Sequence, residues 1–182
     1  MSDQAHGKKL MEEAELEPFL EEYQVVTGTV LEILGWGERP DFICARGTEP
    51  PIGIELVKVM HDPESKMWRT ILDKQDYMDA PDAAILLQEI LYRKDGKRAS
   101  QGWQYPDRTI LVLQIMDARI DEVVCYFDSE LMDEMTQTGF LEIWAADYTL
   151  MEPYGTVQLL GIKPQQWRGL HSHRFQGMKP YG

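Results

Sequence analysis

The sequence has few cysteines and no long hydrophobic run. Two cysteines occur among 182 residues. Both Cys44 and Cys125 sit in apolar stretches, so we predict two buried thiols and neither a disulfide framework nor a cysteine metal site. Residues 1–30 contain no apolar core of a signal peptide, and no run approaches the roughly 18 apolar residues that a membrane span needs. We therefore predict a cytoplasmic protein that does not contact a membrane.

Positive charge is also scarce, with 18 Lys and Arg against 31 Asp and Glu and a net charge of −13. Such a chain should be soluble, and it disfavours non-specific binding to nucleic acid or anionic lipid, because both need a positive field. A local basic groove stays open, since residues 92–108 and 163–182 are rich in basic side chains. The alternative is a solvated loop and a basic tail. The candidate nucleic-acid contacts are Arg93, Lys94, Lys97 and Arg98.

Several catalytic motifs are missing: a glycine-rich phosphate loop, a GxSxG elbow, a Cys/His zinc set and a dinucleotide fingerprint. What is present is a composition of 43% hydrophobic and 10% aromatic residues, enough for one domain with a proper core. Strands and helices are interspersed, so the predicted class is α/β or α+β, with a mixed β-sheet flanked by helices. We place a single domain over residues 8–170, with tails at 1–7 and 171–182.

Hydrophobic periodicity predicts the individual elements. The predicted helices cover residues 8–23, 66–78, 82–93 and 129–138, the last with Ser129 as its cap. The predicted strands cover residues 25–34, 41–45, 52–59, 109–116, 123–127, 140–146 and 156–161. Residues 94–107 and 163–182 are predicted as loop and coil.

Two carboxylates stand out in the strands over 41–45 and 52–59. Asp41 opens the first strand, and Glu55 sits in the middle of the second. A hairpin centred on Thr48 would place Asp41 directly opposite Glu55, with Cβ atoms about 4.5–5.5 Å apart. A slip of one residue would put the two acids on opposite faces.

Two carboxylates facing each other among apolar side chains repel and lose hydration, so a proton or a cation must compensate them. Ligation by carboxylate oxygens suits Mg²⁺ or Mn²⁺. Such an ion could activate a water molecule and stabilise phosphoryl oxygens. The alternative is structural: Asp41 caps the turn after Pro40, and Glu55 pairs with an arginine such as Arg39.

The spacing of these residues resembles the PD-(D/E)XK nuclease superfamily. Pro40-Asp41 is followed after thirteen residues by Glu55, and the sequences RPDF and IGIE resemble small bacterial members. Residues 140–144 and 161–164 resemble the closing strands of that group. The resemblance implies a restriction-endonuclease-like αβββαβ core and metal-dependent hydrolysis of phosphodiesters. It makes Asp41 and Glu55 ligands of Mg²⁺ or Mn²⁺, with an acid of the first helix, Glu17 or Glu21, as a third.

The chain departs from the superfamily pattern at one position. The pattern has a lysine two residues after the second acid, where this chain has Val57. Lys58 follows, and in a regular strand it points to the opposite face. A β-bulge could return Lys58 to the acids, or Lys66, Arg69 or Lys74 of the next helix could supply the charge. The third interpretation is a degenerate site in a fold that only binds.

Other candidates surround this pair. His61 is in phase with the second acid and could act as a metal ligand or a base, although it could equally be a loop histidine. Gln75 and Tyr77, on the following helix, could contact substrate. Trp36 and Trp103, predicted in loops, could stack on bases.

The leading hypothesis is a metal-dependent nuclease in which Asp41 and Glu55 hold the ion and Lys58 or another base completes the site. The rival is a catalytically inactive nuclease-fold protein that serves binding or assembly. A third hypothesis is a structural subunit with the acidic residues 117–152 as its contact surface. The candidate partners are DNA or RNA and a second copy of the chain.

Overall fold

A computed structural model describes residues 3–61, 77–100 and 102–174. The helices of this part are α1 Asp3–Thr27, α2 Ala80–Arg98, α3 Ile120–Val123, α4 Ser129–Thr136 and α5 Met151–Tyr154. The strands are β1 Glu32–Trp36, β2 Phe42–Ala45, β3 Ile52–Val59, β4 Thr109–Ile115, β5 Glu142–Asp147, β6 Gln158–Lys163 and β7 Gly169–His171. Over the described ranges, every helix is too short or too polar to cross a membrane.

All seven strands form one mixed sheet, in which spatial order follows chain order from β1 to β7. The pairs β3–β4 and β4–β5 are parallel, and the other four pairs are antiparallel. A parallel pair needs a crossover, and α2 lies within the one that joins β3 to β4. The predicted mixed sheet with flanking helices is confirmed.

Helices cover both faces of the sheet. On one face, α1 packs Leu16, Phe19 and Tyr23 into an apolar cluster with β2 to β6. On the other face, α2, α3 and α4 pack against the alternate residues of the strands. β4 is buried along its whole length, as its continuous apolar run predicts.

The first helix is longer than predicted, because α1 continues to Thr27 with Pro18 inside it. The spacing of Leu16, Phe19 and Tyr23 keeps one apolar stripe on the sheet past the proline. Gly28, with φ +73°, ends the helix and donates its N–H to the Gln24 carbonyl. The strand predicted over 25–34 therefore starts only at β1.

Four other predictions need correction. The loop predicted over 94–107 begins later, since α2 runs to Arg98. Residues 123–127 are not a strand: Val123 ends α3, buried against the core, and a 3₁₀ turn follows. The coil predicted over 163–182 contains β7. Cys44 is buried as predicted, but Cys125, in the 3₁₀ turn, is exposed.

The ends of the elements also differ in detail. The cap of α4 is Asp128 rather than Ser129, because the Asp128 carboxylate accepts the Leu131 N–H at 2.8 Å. Residues 3–7, predicted as a tail, form the first turns of α1, and His171 ends β7. The helix predicted over 66–78 falls largely outside the described residues.

Candidate active site

The β2–β3 register brings the two acids together. Ile43 pairs with Gly53 and Phe42 with Ile54, so one further step sets Asp41 opposite Glu55, as predicted. Gly53 makes this approach close: a Cβ there would lie 2.3 Å from Pro40 Cγ. The proline before the first acid therefore packs on the glycine two residues before the second.

Asp41 is held from two sides. Its Oδ2 accepts the backbone N–H of Leu56 at 2.9 Å, across the neighbouring strand. Its Oδ1 lies 3.6 Å from Lys9 Nζ, and Lys9 also lies 2.9 Å from Glu12. The carboxylate therefore receives its hydrogen bond from β3, which contradicts the alternative that it caps the turn after Pro40.

Glu55 is buried, with 5% of its surface exposed, yet only one of its two carboxylate oxygens has a hydrogen-bond partner among the described residues. Its Oε1 lies 2.6 Å from Lys94 Nζ of α2, so its partner is not Arg39. Its Oε2 is buried and has no hydrogen-bond partner within the described part of the chain. An unpaired buried acceptor is rare and costly, which marks this atom as a place for a ligand.

The two carboxyls also influence each other's ionisation. Burial raises the pKa of Glu55 above its ordinary value of 4.5, and the charge of Asp41 adds to the rise, while Lys94 opposes it. Burial likewise raises the pKa of Asp41 above 3.8, against the Leu56 hydrogen bond and the charge of Lys9. Two opposed acids with raised pKa values, one buried and one partly buried, are typical of a catalytic or metal-binding site.

A cavity of about 430 Å³ opens on the acid pair. β2 pairs with β3 only over Ile52–Ile54, so among the described residues no strand covers the same edge of β3 beyond them. The cavity reaches both faces of the sheet around that edge. Its charged lining consists of the acids Glu12, Glu15, Asp41 and Glu55 and the bases Lys58, Arg93 and Lys94.

Lys58 lies on the opposite face from Glu55. The β3–β4 register runs without a break past Val57 and Lys58, so the proposed bulge is absent. Lys58 Nζ lies 2.9 Å from Glu15 Oε1 of α1. It lines the cavity from the α1 face, while Lys94 enters from the α2 face.

The cation beside Glu55 is Lys94, which lies 39 positions further along the chain. The sequence predicts Lys94 as a nucleic-acid contact rather than as a partner of the acid pair. The available signal is helical phase, because Lys94 continues the stripe of Leu87 and Leu91 that packs α2 on the sheet. The other suggested cations, Lys66, Arg69 and Lys74, lie outside the described residues, as does Gln75.

The acids that α1 contributes are Glu12 and Glu15, not Glu21 or Glu17. Glu12 precedes the buried Leu16 by four residues and so shares its face of the helix. Glu21 falls midway between the buried Phe19 and Tyr23 and is exposed to solvent. Glu12 adds negative charge that helps raise the Asp41 pKa.

The residues predicted to bind nucleic acid divide into two groups. Arg93 and Lys94 line the cavity, and Lys97 is exposed on the same helix. Arg98 is 8% exposed; it pairs with Asp95 and Asp107 and lies over the Phe140 ring. Arg98 is thus a structural side chain that fastens the end of α2.

The structure also places three further candidates, His61, Trp36 and Trp103. The backbone N–H of His61 donates to Asp117 Oδ2 at 2.9 Å, and its exposed side chain lines the cavity. Trp36 lies in β1 rather than in a loop, whereas Trp103 packs against the core. His61 is therefore the one predicted site histidine that reaches the acid pair's cavity.

The donor set fits a hydrated divalent ion better than a protein cage. No group of three or more His, Cys, Asp and Glu side chains over residues 3–61, 77–100 and 102–174 is arranged to hold a metal. Mg²⁺ usually keeps several waters and binds through one or two carboxylates. Asp41 and Glu55 supply that number, and Glu55 Oε2, which has no hydrogen-bond partner among the described residues, is available as an oxygen ligand.

Comparisons of the chain with protein-family models, with curated proteins and with solved structures found no match. The features that define this site are the opposed carboxylates, the partly buried lysine beside them and the open edge of β3.

Proposed function

We propose that this protein is a metal-dependent nuclease whose active site consists of Asp41, Glu55 and Lys94. The observation that carries the proposal is the opposed acid pair, with Glu55 buried and Asp41 partly buried. Lys94 Nζ lies 2.6 Å from one Glu55 oxygen, and the other oxygen has no hydrogen-bond partner among the described residues. The order of elements adds support. Helix, three strands, helix and strand follow one another from α1 to β4, the succession that the resemblance implies.

Asp41 and Glu55 would hold Mg²⁺ or Mn²⁺. A bound ion of this kind lowers the pKa of its water and neutralises charge on phosphoryl oxygens. The chain's own part is to keep both carboxyls ionised and in place. Leu56 N–H and Lys9 favour the charged form of Asp41, and Lys94 favours that of Glu55.

Lys94 takes the role of the lysine that the superfamily pattern has at Val57. Its ammonium reaches the second acid from α2 instead of from β3, and it enters the same cavity. An ammonium within hydrogen-bond reach of an ion-binding carboxylate can orient a water molecule and stabilise negative charge on a phosphoryl group. Lys58, paired with Glu15 on the other face, is a substrate contact instead.

The alternative function is a nuclease-fold binding or assembly protein without catalysis. One observation favours it: each acid already has a lysine, Lys94 at 2.6 Å from Glu55 and Lys9 at 3.6 Å from Asp41. Internal cations could therefore compensate the acid pair without any metal.

Cleavage assays distinguish the two functions. We would incubate the protein with single- and double-stranded DNA and RNA in Mg²⁺ or Mn²⁺, alongside Asp41→Ala, Glu55→Gln and Lys94→Met. The nuclease proposal expects each variant to lose about a hundredfold or more in rate, the range of a positioned catalytic group. Lys97→Met, on the same helix but outside the cavity, is the matched control and should keep wild-type rates.

Two results would count against the nuclease. One is no cleavage by wild type with either ion on any substrate. The other is cleavage that survives Asp41→Ala and Glu55→Gln, which would trace to another site or a contaminant. In the first case the binding alternative stands.

A further inference from the structure

We infer that a single strand of nucleic acid lies along a trough that crosses the acid pair, with one base stacked on Trp36. This inference rests on the proposed nuclease function and specifies its substrate. It is carried by a second cavity, by the charge of the two cavities together and by an aromatic ring at one end.

The second cavity, of about 740 Å³, lies between the start of α1 and the chain that leads into β2. It shares Glu12 and Asp41 with the first cavity, so the two adjoin at the acid pair. We call the two cavities together the trough. A ligand that fills it passes Asp41 with part of its length on either side.

The trough concentrates the scarce positive charge of the chain. Its six bases, three in each cavity, are Lys58, Arg93, Lys94, Lys8, Lys9 and Arg39. Its five acids are Glu12 and Asp41, which line both cavities, Glu15 and Glu55, which line the first, and Glu38, which lines the second. Six minus five leaves +1, against −13 for the whole chain.

A divalent ion on the acid pair would raise that balance from +1 to +3. The phosphates of a polyanion are then attracted to the trough and repelled by the acidic surface around it. Because the attraction is confined to the trough, a narrow strand fits the field better than a duplex, whose second backbone would face the acidic surface.

Trp36 supplies the stacking surface. Its ring lines the second cavity, and its Nε1 donates to Glu13 Oε2 at 2.5 Å, which fixes the ring's orientation. The His6 ring lies 5.2 Å from it, centroid to centroid. Fixed aromatic rings beside basic side chains bind single strands through base stacking, which a base paired inside a duplex cannot offer.

The test is a binding assay that needs no catalysis. Fluorescein-labelled single-stranded DNA, single-stranded RNA and the matching duplex would be titrated with the protein in Ca²⁺, followed by fluorescence anisotropy. We expect single strands to bind at least about tenfold more tightly than the duplex. The DNA and RNA arms show which sugar the trough accepts.

Variants then locate the strand. Trp36→Ala should weaken single-strand binding about fivefold or more, the lower end for loss of one base–aromatic stack, while Trp36→Phe should keep most of it. Arg39→Gln should reduce the salt slope of binding by about one. Tyr126→Ala removes an exposed aromatic ring outside the trough and should change nothing.

The outcomes separate this inference from the nuclease proposal. Tighter binding of duplex, or unchanged binding by Trp36→Ala and Arg39→Gln, overturns the trough even if the protein cleaves nucleic acid. Single-strand binding with the expected variant effects, but no cleavage in Mg²⁺ or Mn²⁺, supports the trough and leaves the nuclease proposal without support. The Trp36→Phe variant guards against misfolding, because it keeps an aromatic ring.

Discussion

Two glutamates on opposite faces of the sheet are almost equally buried but differ in how many of their carboxylate oxygens have hydrogen-bond or ion-pair partners. Glu55 on β3 is 5% exposed and Glu142 on β5 is 6% exposed. Glu142 accepts hydrogen bonds from Tyr23 Oη and Trp144 Nε1 and forms an ion pair with Arg46, so both of its oxygens are engaged. In the described part of the chain, Glu55 has Lys94 on one oxygen and no hydrogen-bond partner on the other, and the Asp41 carboxylate lies nearby.

The two acids differ in how many of their oxygens have hydrogen-bond or ion-pair partners, not in how deeply they are buried. The proposed function uses this difference to assign Glu142 a structural role and Glu55 a ligand-binding one. Both oxygens of Glu142 already have hydrogen-bond or ion-pair partners, so a further cation would add little to them. Tyr23 reflects this arrangement, since burial and then the charge of Glu142 raise its pKa to about 12. Among the described residues, only one oxygen of Glu55 has a hydrogen-bond partner, so an ion or a proton could occupy the other.

The largest expected effect is on stability, at the saturated site. Glu142→Ala would leave Trp144 Nε1, Tyr23 Oη and the Arg46 charge without their acceptor, and we expect a loss of about 3 kcal/mol in the free energy of unfolding. Urea denaturation measures it. Glu142→Gln, which keeps one acceptor, should lose less, and Glu55→Gln less still. A greater loss for Glu55→Gln than for Glu142→Ala would break the comparison.

The next effect is stabilisation by metal at the unsaturated site. Mn²⁺ at about a hundred times its dissociation constant should stabilise the wild type by about 2.7 kcal/mol, because only the folded state holds the acid pair together. Thermal unfolding with and without Mn²⁺ shows the shift. Glu55→Gln should lose it and Glu142→Gln should keep it. An equal shift in both variants would place the ion elsewhere.

The smallest effect is the pH dependence of the acid pair. The folded-state pKa of Glu55 is raised, so its proton stabilises the fold below the ordinary value of 4.5, and this contribution is lost as pH rises through the folded-state pKa. Relative to Glu55→Gln, wild type should therefore become less stable from pH 4.5 towards neutrality. Denaturation at a series of pH values tests this. A difference that grows in favour of wild type would contradict the raised pKa.

The position of the acid pair could be predicted from sequence, because it depends on the register of one short hairpin. The register that sets Asp41 opposite Glu55 follows from two apolar strands and a turn. The structure confirms this register over its last pairs, Ile43 with Gly53 and Phe42 with Ile54. That Lys58 points to the face opposite Glu55 also follows from the sequence, because successive side chains of a strand alternate between the two faces of the sheet. The mixed sheet follows from the interspersed elements.

The non-local part could not be predicted, because it depends on how helices cross the sheet. Lys94 reaches Glu55 only because α2 packs over β3, and no spacing along the chain encodes that contact. The choice of Glu12 over Glu21 depends on which stripe of α1 is buried, and the sequence offers several apolar positions there. The structure selects the stripe through Leu16, Phe19 and Tyr23.

The Asp41 carboxylate is oriented by the hydrogen bond that it accepts from the Leu56 N–H. Pro40, the residue before it, packs against Gly53. Fixing a rotamer-rich side chain on association costs about 0.5–1.5 kcal/mol in lost conformational entropy. For Asp41 that loss occurs when the chain folds, before any ion arrives. The ion of the proposed function would therefore meet one ligand that is already fixed, and the adjustment would fall on Glu55 and on Lys94, which pairs with Glu55.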